Sequence, residues 1–483
     1  MRFDPEYVSH VLADNFEDAK RLFLEPLMAI HDAHLVMLAE RGIIGREDAC
    51  RLRDALDAIS MQRVQCAAFD GTCEDLFFYV ERLLIEACGD TVAGRLRAAR
   101  SRNDIDMTMY RMRQREALVA IVEASLELRA VLVDLASAHR ETCFAAHTHT
   151  QPAQPTTVAH YLLAAIEQLE RDAVRLRAAH RSTNRCPLGA CAITGTGFPI
   201  DRQLTSDLLG FEGATGNTYG SIATVDYLLE GAAGVAVLLA GLGRVVQDLL
   251  LWCTAEFGYL RLGDGFVQTS SIMPQKRNPV ALEHARALSS KALAQASAIA
   301  LTVHNTPFGD VVDIEDDLQP LVAATFRDAQ RAVSLVAAAL RSCELDVPRL
   351  EARAGDGGTT LTELADHLVR QHRMPFAAAH AIAARTAAQR LEAGVSVEHA
   401  LRVASSEVIG SALDYAPGDL ARILSPRHFV EVRRTPGGPA PEETGRALDE
   451  SRRQLEADRA WVADVRSGTA AARSRLEQRK RAL

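Results

Sequence analysis

From about Met107 the chain reads MTMYRMRQREALVAIVEASLELRAVLVDLASAHRETC, with apolar residues at three- and four-residue intervals and no Gly or Pro. That period marks one face of a helix, and the length of the run predicts a single helix of more than thirty residues. Similar runs recur at about 154–183, 221–256, 279–305 and 320–342. The 221–256 run is apolar on more than one face, so it is expected to be buried on several sides. Long helices of this kind predict an all-α fold built around a long bundle, and a bundle with apolar outer faces self-associates.

The texture differs at both ends. Residues 1–105 mix short helical patterns with turns such as Phe69-Asp-Gly-Thr72, and predict a small first domain. The bundle occupies 106–358 and ends at the break Ala354-Gly-Asp-Gly-Gly358. Residues 359–483 return to short helices and predict a third domain, with a proline- and glycine-rich loop from Ser425 to Pro441. The charged ending from Ala472 to Leu483 reads as a solvated helix. No internal repeat stands out.

Composition narrows the class. A chain of 483 residues with 48% hydrophobic and 24% charged residues is globular and too long for one core. The formal charge of −9 argues against a general nucleic-acid binder, although a small anion needs only local cations. The nine cysteines show no C-x-x-C pair, which fits free thiols in a reducing compartment. The N-terminus has no apolar signal region, and the most apolar run, Gly231–Gly243, is too short to span a bilayer. A cytoplasmic protein that does not enter a membrane is expected.

The breaks between helices carry the chemistry. Thr269-Ser-Ser-Ile-Met-Pro-Gln-Lys-Arg-Asn-Pro279 groups two hydroxyls, two cations and an amide, and its prolines forbid a regular helix. Free backbone N–H groups beside Ser270, Lys276 and Asn278 suit anion binding or activation of a hydroxyl. A polar N-cap loop before the next helix is the plainer alternative. The stretch His147-Thr-His-Thr-Gln-Pro-Ala-Gln-Pro155 offers an acid–base histidine. No carboxylate or cysteine joins its histidines at metal-ligand spacing, so neither a metal nor a cofactor is expected. In Arg95-Leu-Arg-Ala-Ala-Arg-Ser-Arg-Asn-Asp104, residues Ser101, Arg102 and Asn103 open the first long helix, where an anion is favoured; a basic surface run is the alternative. The segment Asp310-Val-Val-Asp-Ile-Glu-Asp-Asp317 lacks the glycine and terminal glutamate of a calcium loop. It reads as an acidic turn.

Together these segments resemble one family over nearly the whole chain. TSSIMPQKRNP is similar to the signature loop of the fumarase, aspartase and argininosuccinate lyase superfamily, G-S-S-x-M-P-x-K-x-N-P. RSRND at 100–104, THTQPAQP at 148–155, PLGACAITGTGFPIDR at 187–202, LTELADHLVRQHRMPFAAAH at 361–380 and HFVEVR at 428–433 resemble its argininosuccinate lyase branch. The resemblance implies a homotetramer with a twenty-helix core and active sites built from three subunits. It also implies anti elimination of fumarate from an N-substituted aspartate, with Ser270 as the base. Lys276 and Asn278 would hold the carboxylate and the developing charge, and His149 would be partnered by Glu283. Ser101, Arg102, Asn103, Thr148 and Ser271 would bind the succinyl part.

The departures from that branch fall mostly on the part that would recognise the other half of argininosuccinate. Thr269 stands in place of the first signature glycine, and the early D-I-H motif is Asp75-Leu-Phe77. Positions expected to meet the guanidinium hold Leu27 and His31, and those of a later tyrosine, glutamine and lysine hold Asp310, Glu315 and Leu318. The resemblance therefore points to a carbon–nitrogen lyase whose leaving amine carries a second positive charge, as in ethylenediaminedisuccinate. Argininosuccinate cleavage is the alternative within the class, and a non-catalytic crystallin-like relative is the alternative outside it. The expected partners are the small-molecule substrate, fumarate and other copies of the chain, with no nucleic acid.

Overall fold

The structure is a computed structural model describing residues 3–393, 395–416 and 418–483. In chain order the elements used below are α1 (Ala13–Glu40), α2 (Arg46–Ala58), α3 (Leu76–Cys88), α4 (Arg102–Ala138), β1 (Cys143–Thr148), β2 (Gln151–Thr157), α5 (Val158–Thr183) and α6 (Asp226–Trp252). They continue with β3 (Gln268–Thr269), β4 (Arg277–Asn278), α7 (Val280–Val303), α8 (Gln319–Arg341), α9 (Leu361–His372), α10 (Phe376–Ala393), α11 (Val397–Ile409) and α12 (Pro441–Arg481).

Helix α4 sets the frame. Its 37 residues contain no Gly or Pro, and at 1.5 Å per residue they extend about 55 Å. The Ser101 N–H donates to the Asp104 carboxylate at 3.0 Å, which fixes where the helix begins. Along its length Leu118, Ile121 and Val122 share one core with Ile166 of α5, Val235 and Leu238 of α6, Ile299 of α7 and Val333 of α8. A Cβ at Gly231 would lie 2.6 Å from the Gln114 amide nitrogen and 3.2 Å from the Phe326 ring. Absence of that atom lets α6 close on α4 and α8, while Gln114 donates to the Tyr227 carbonyl at 2.8 Å.

The bundle follows the periodicity, but its ends differ from expectation. The first long helix stops at Ala138, because residues 143–157 form an antiparallel hairpin, β1–β2, whose tip is Thr148–Gln151. Near the N-terminus one helix of 28 residues, α1, replaces the expected short pieces. Pro26 sits inside it, lacking only its own N–H bond, and burial of Leu24, Leu27 and Ile30 holds the helix together across that point. The 425–441 loop contains a short helix, Pro426–Glu431.

The expected third domain divides. Leu364, Leu368, Ile382 and Leu401 of α9–α11 form a separate small core. Helix α12 leaves it and packs on α1, α4 and α5, placing Leu448, Leu455 and Val462 in the bundle core. The ending is not simply solvated: Ala472, Leu476 and Lys480 are buried, and the Lys480 ammonium pairs with Asp32 at 2.8 Å and Asp57 at 2.6 Å. A charged stripe hid an apolar position on every second turn or so.

A single chain exposes 22,899 Å², against about 17,600 Å² for a compact monomer of this mass. Much of the excess lies along the bundle, where Leu301 is 77% and Val237 45% exposed. Two helices, Pro5–Glu40 and Thr218–Trp252, are long and apolar enough to cross a membrane; both are packed in the body here, the first more deeply than the second.

Candidate active site

The head of α4 is held from two directions. Asp104 accepts the Gly189 and Cys191 N–H groups, each at 2.8 Å, which ties the 187–191 turn to the helix start. Burial pushes the Asp104 carboxyl up to about 6, against the pull of these donors. Ser101 donates to Asn103 at 2.8 Å, and Asn103 in turn donates to Asp310. Arg102 is paired with Glu74 at 2.8 Å and with Asp75 at 2.6 Å. Ser101, Arg102 and Asn103 thus adjoin one another as expected, but Arg102 and the Asn103 amide are engaged by carboxylates and the Ser101 hydroxyl by Asn103. An incoming anion has to share or displace those partners.

The second group lies at the tip of the β1–β2 hairpin. Thr148 and His149 are exposed, and His149 and Thr150 have φ of 50° and 63°, left-handed values that form the two-residue turn. Among the described residues, the His149 ring has no hydrogen-bond partner in its own chain.

The third group is the signature loop. Strands β3 and β4 pair Gln268 with Asn278 and Thr269 with Arg277, so residues 270–276 form the tip of a short ribbon. Arg277 anchors the base of that ribbon through Asp264 at 2.7 Å and the Leu262 carbonyl at 3.0 Å. At the tip, the Ser270 Oγ accepts the N–H groups of Ile272 at 3.2 Å and Met273 at 3.0 Å. Ser271 and Lys276 are exposed, Asn278 is half-buried, and Ile272 is 85% exposed. Glu283 lies in the first turn of α7, exposed, on a shallow depression shared with His284 and Arg286.

One chain therefore joins only some of the expected residues. The head of α4 meets the 310–316 loop, whereas the hairpin tip and the signature loop stand apart. Among the described residues, no hydrogen bond or ion pair joins His149 to Glu283, or Ser270 to Lys276.

The structure adds residues that the sequence reading passed over. Asp106 and Tyr110 lie four and eight residues past Arg102, so all three share one face of α4. The Tyr110 hydroxyl donates to Asp316 at 3.1 Å. Around this face stand Asp75 at the cap of α3 and Glu315 and Asp316 from the acidic segment, with Arg102 the cation among them. Burial, a hydrogen bond with Asp310 and the negative charge of Asp310 and Asp316 raise the Glu315 carboxyl well above the usual range. Burial also raises Asp316 and Asp75. The acidic turn expected at 310–317 is partly buried and forms one wall beside Ser101–Asn103. Nothing in the sequence marked Asp106 and Tyr110, because residues 102–116 are rich in charged and polar side chains throughout.

Comparison with known proteins agrees with this arrangement. A lyase family model matches residues 40–293, and the argininosuccinate lyase C-terminal model matches 358–431. Argininosuccinate lyase 2 of Agrobacterium fabrum is 37% identical across 99% of this chain and 96% of its own length. Among solved structures, EDDS lyase in complex with formate superposes with a TM-score of 0.85 at 30% identity, covering 99% of this chain and 96% of that one. A variant of EDDS lyase with bound fumarate superposes equally well, with a TM-score of 0.85 at 30% identity, over 100% of this chain and 96% of that one. The chain belongs to the argininosuccinate lyase branch of the fumarase/aspartase superfamily, and it is a carbon–nitrogen lyase with that superfamily's all-α fold.

Proposed function

We propose that this lyase releases fumarate from an N-substituted L-aspartate whose leaving group is a cationic diamine, with ethylenediaminedisuccinate as the model substrate. The observation that carries this reading is the acidic wall of Asp75, Asp106, Glu315 and Asp316 beside the succinyl-binding head of α4. A fumarate site needs cations and amides; a surplus of carboxylates at its border suits a cationic amine.

The proton to be removed lies next to a carboxylate and is weakly acidic, so its removal builds a doubly negative aci-carboxylate. Lys276 and Asn278 are the groups on the signature loop that can hold this charge. Ser270 acts as the base. Its Oγ already accepts the Ile272 and Met273 N–H groups, and the same donors stabilise the alkoxide it must become. The C–H electron pair forms the new double bond, the C–N bond breaks, and its pair leaves with the amine. Ser101, Arg102, Asn103, Thr148 and Ser271 bind the succinyl part. His149 and Glu283, unpaired within one chain, form the acid–base pair when chains meet.

That last point makes the site a property of the assembly, a homotetramer in which three chains contribute to each centre. The exposed bundle faces and the apolar tip of the signature loop support it. Ser270→Ala and Asn103→Ala proteins, each inactive toward ethylenediaminedisuccinate, should regain partial fumarate release once dissociated and reassembled together. The two lesions then fall in different sites, and some centres are intact. A mixed assembly as inactive as its parents contradicts the shared site.

A second reading, cleavage of argininosuccinate to arginine and fumarate, is favoured by the names of relatives such as argininosuccinate lyase 2 of Agrobacterium fabrum.

A further inference from the structure

Asp106 is the carboxylate on this face without a partner. Arg102, one turn before it, is held by Glu74 and Asp75, and Tyr110, one turn after it, donates to Asp316. Asp75 also accepts the Phe78 N–H at 2.9 Å as the cap of α3. Among the described residues, Asp106 accepts no hydrogen bond and forms no ion pair. It faces Asp75, Glu315 and Asp316, with Arg102 as the compensating charge. A recessed carboxylate among three others either keeps its proton or waits for a cation. Burial and then these neighbours push its carboxyl well above the ordinary range in the empty chain.

The position says which cation. Asn103 and Arg102 begin the same helix, and Asn103 is bonded to Asp310 at the mouth of the acidic wall. An amine attached to a succinyl group seated at Ser101–Asn103 lies next to the 102–106–110 face of the same helix. We infer that Asp106 is a specificity-determining residue that receives the distal ammonium of a diamine leaving group, with Glu315 as a second carboxylate near it. This inference rests on the proposed substrate class and goes beyond it, because it assigns the selectivity to one side chain of α4.

The test uses the assembled protein with fumarate bound, titrated calorimetrically with ethylenediamine and, separately, with ethylamine. The wild type should bind ethylenediamine about tenfold or more tightly than ethylamine, the scale of one hydrogen bond to a charged group. Asp106→Asn, nearly isosteric, should lose most of that preference. Glu315→Gln, on a different element, should move it the same way and decides the matter if the first variant does not assemble. A wild type without the preference, or variants that keep it in full, overturns the assignment. Absence of fumarate release from ethylenediaminedisuccinate, with the Asp106-dependent preference intact, counts against the proposed reaction alone. Fumarate release with an unaltered preference in both variants counts against Asp106 alone.

Discussion

Alanine at position 270 should slow fumarate release by about 10²–10⁴-fold, the contribution of a positioned acid–base group. The expectation follows from the local geometry. Ser270 sits at the tip of the β3–β4 ribbon, where two backbone N–H groups already converge on its Oγ. Those donors lower the cost of placing negative charge on that oxygen, and alanine leaves them with only water. The loss should fall mainly on kcat, because Ser101–Asn103 remain to bind the succinyl part. Assembly should be unaffected, since the Ser270 hydroxyl bonds only to backbone N–H groups of its own loop and the apolar Ile272 and Met273 are retained. Turnover is read from fumarate absorbance and assembly from size-exclusion chromatography. A Ser270→Ala protein with wild-type turnover contradicts the assigned base.

The largest effect on stability is expected far from the site. Arg129 of α4 and Asp458 of α12 are fully buried and pair at 2.5 Å, and Asp458 also accepts from Arg177 of α5 at 2.8 Å. These contacts fasten the last helix to the bundle. Asp458→Ala leaves the Arg129 guanidinium inside with only Glu170 at 3.3 Å. Removing one member of a buried pair costs about 3–5 kcal/mol, most of it from the charge left behind. Denaturant unfolding at a fixed protein concentration should show the loss. A shift below about 1 kcal/mol would mean that the pair is solvated, contrary to its burial.

Much of the fold was legible because long helices repeat their pattern many times. The 107–138 stretch kept its period for most of its predicted length, and the helices at 158–183, 226–252, 280–303 and 319–341 follow theirs closely. Short elements offer no such repetition. The hairpin at 143–157 was absorbed into its flanking helices, since six residues of strand contain too few positions to separate the two periods. The place of α12 was hidden for another reason. Its apolar residues are sparse, and what buries them is a remote bundle that no local pattern reveals.

The residues assigned to the reactive half were picked out by their place in the chain. Ser270, Lys276, Asn278 and Ser101–Asn103 stand in breaks, where hydroxyls and amides have no packing role to explain them. Asp106 and Tyr110 stand within a helix and looked like scenery until the 310–316 loop was folded over them. The pairing of His149 with Glu283 came from the resemblance alone, and among the described residues one chain shows no bond between them.

The central claim is that this lyase releases fumarate from a diamine-derived aspartate in preference to the guanidinium of argininosuccinate. The most direct measurement compares kcat/KM for fumarate release from ethylenediaminedisuccinate and from argininosuccinate, under the same conditions. The account expects ethylenediaminedisuccinate to be cleaved with the higher kcat/KM; rapid cleavage of argininosuccinate alone would contradict it.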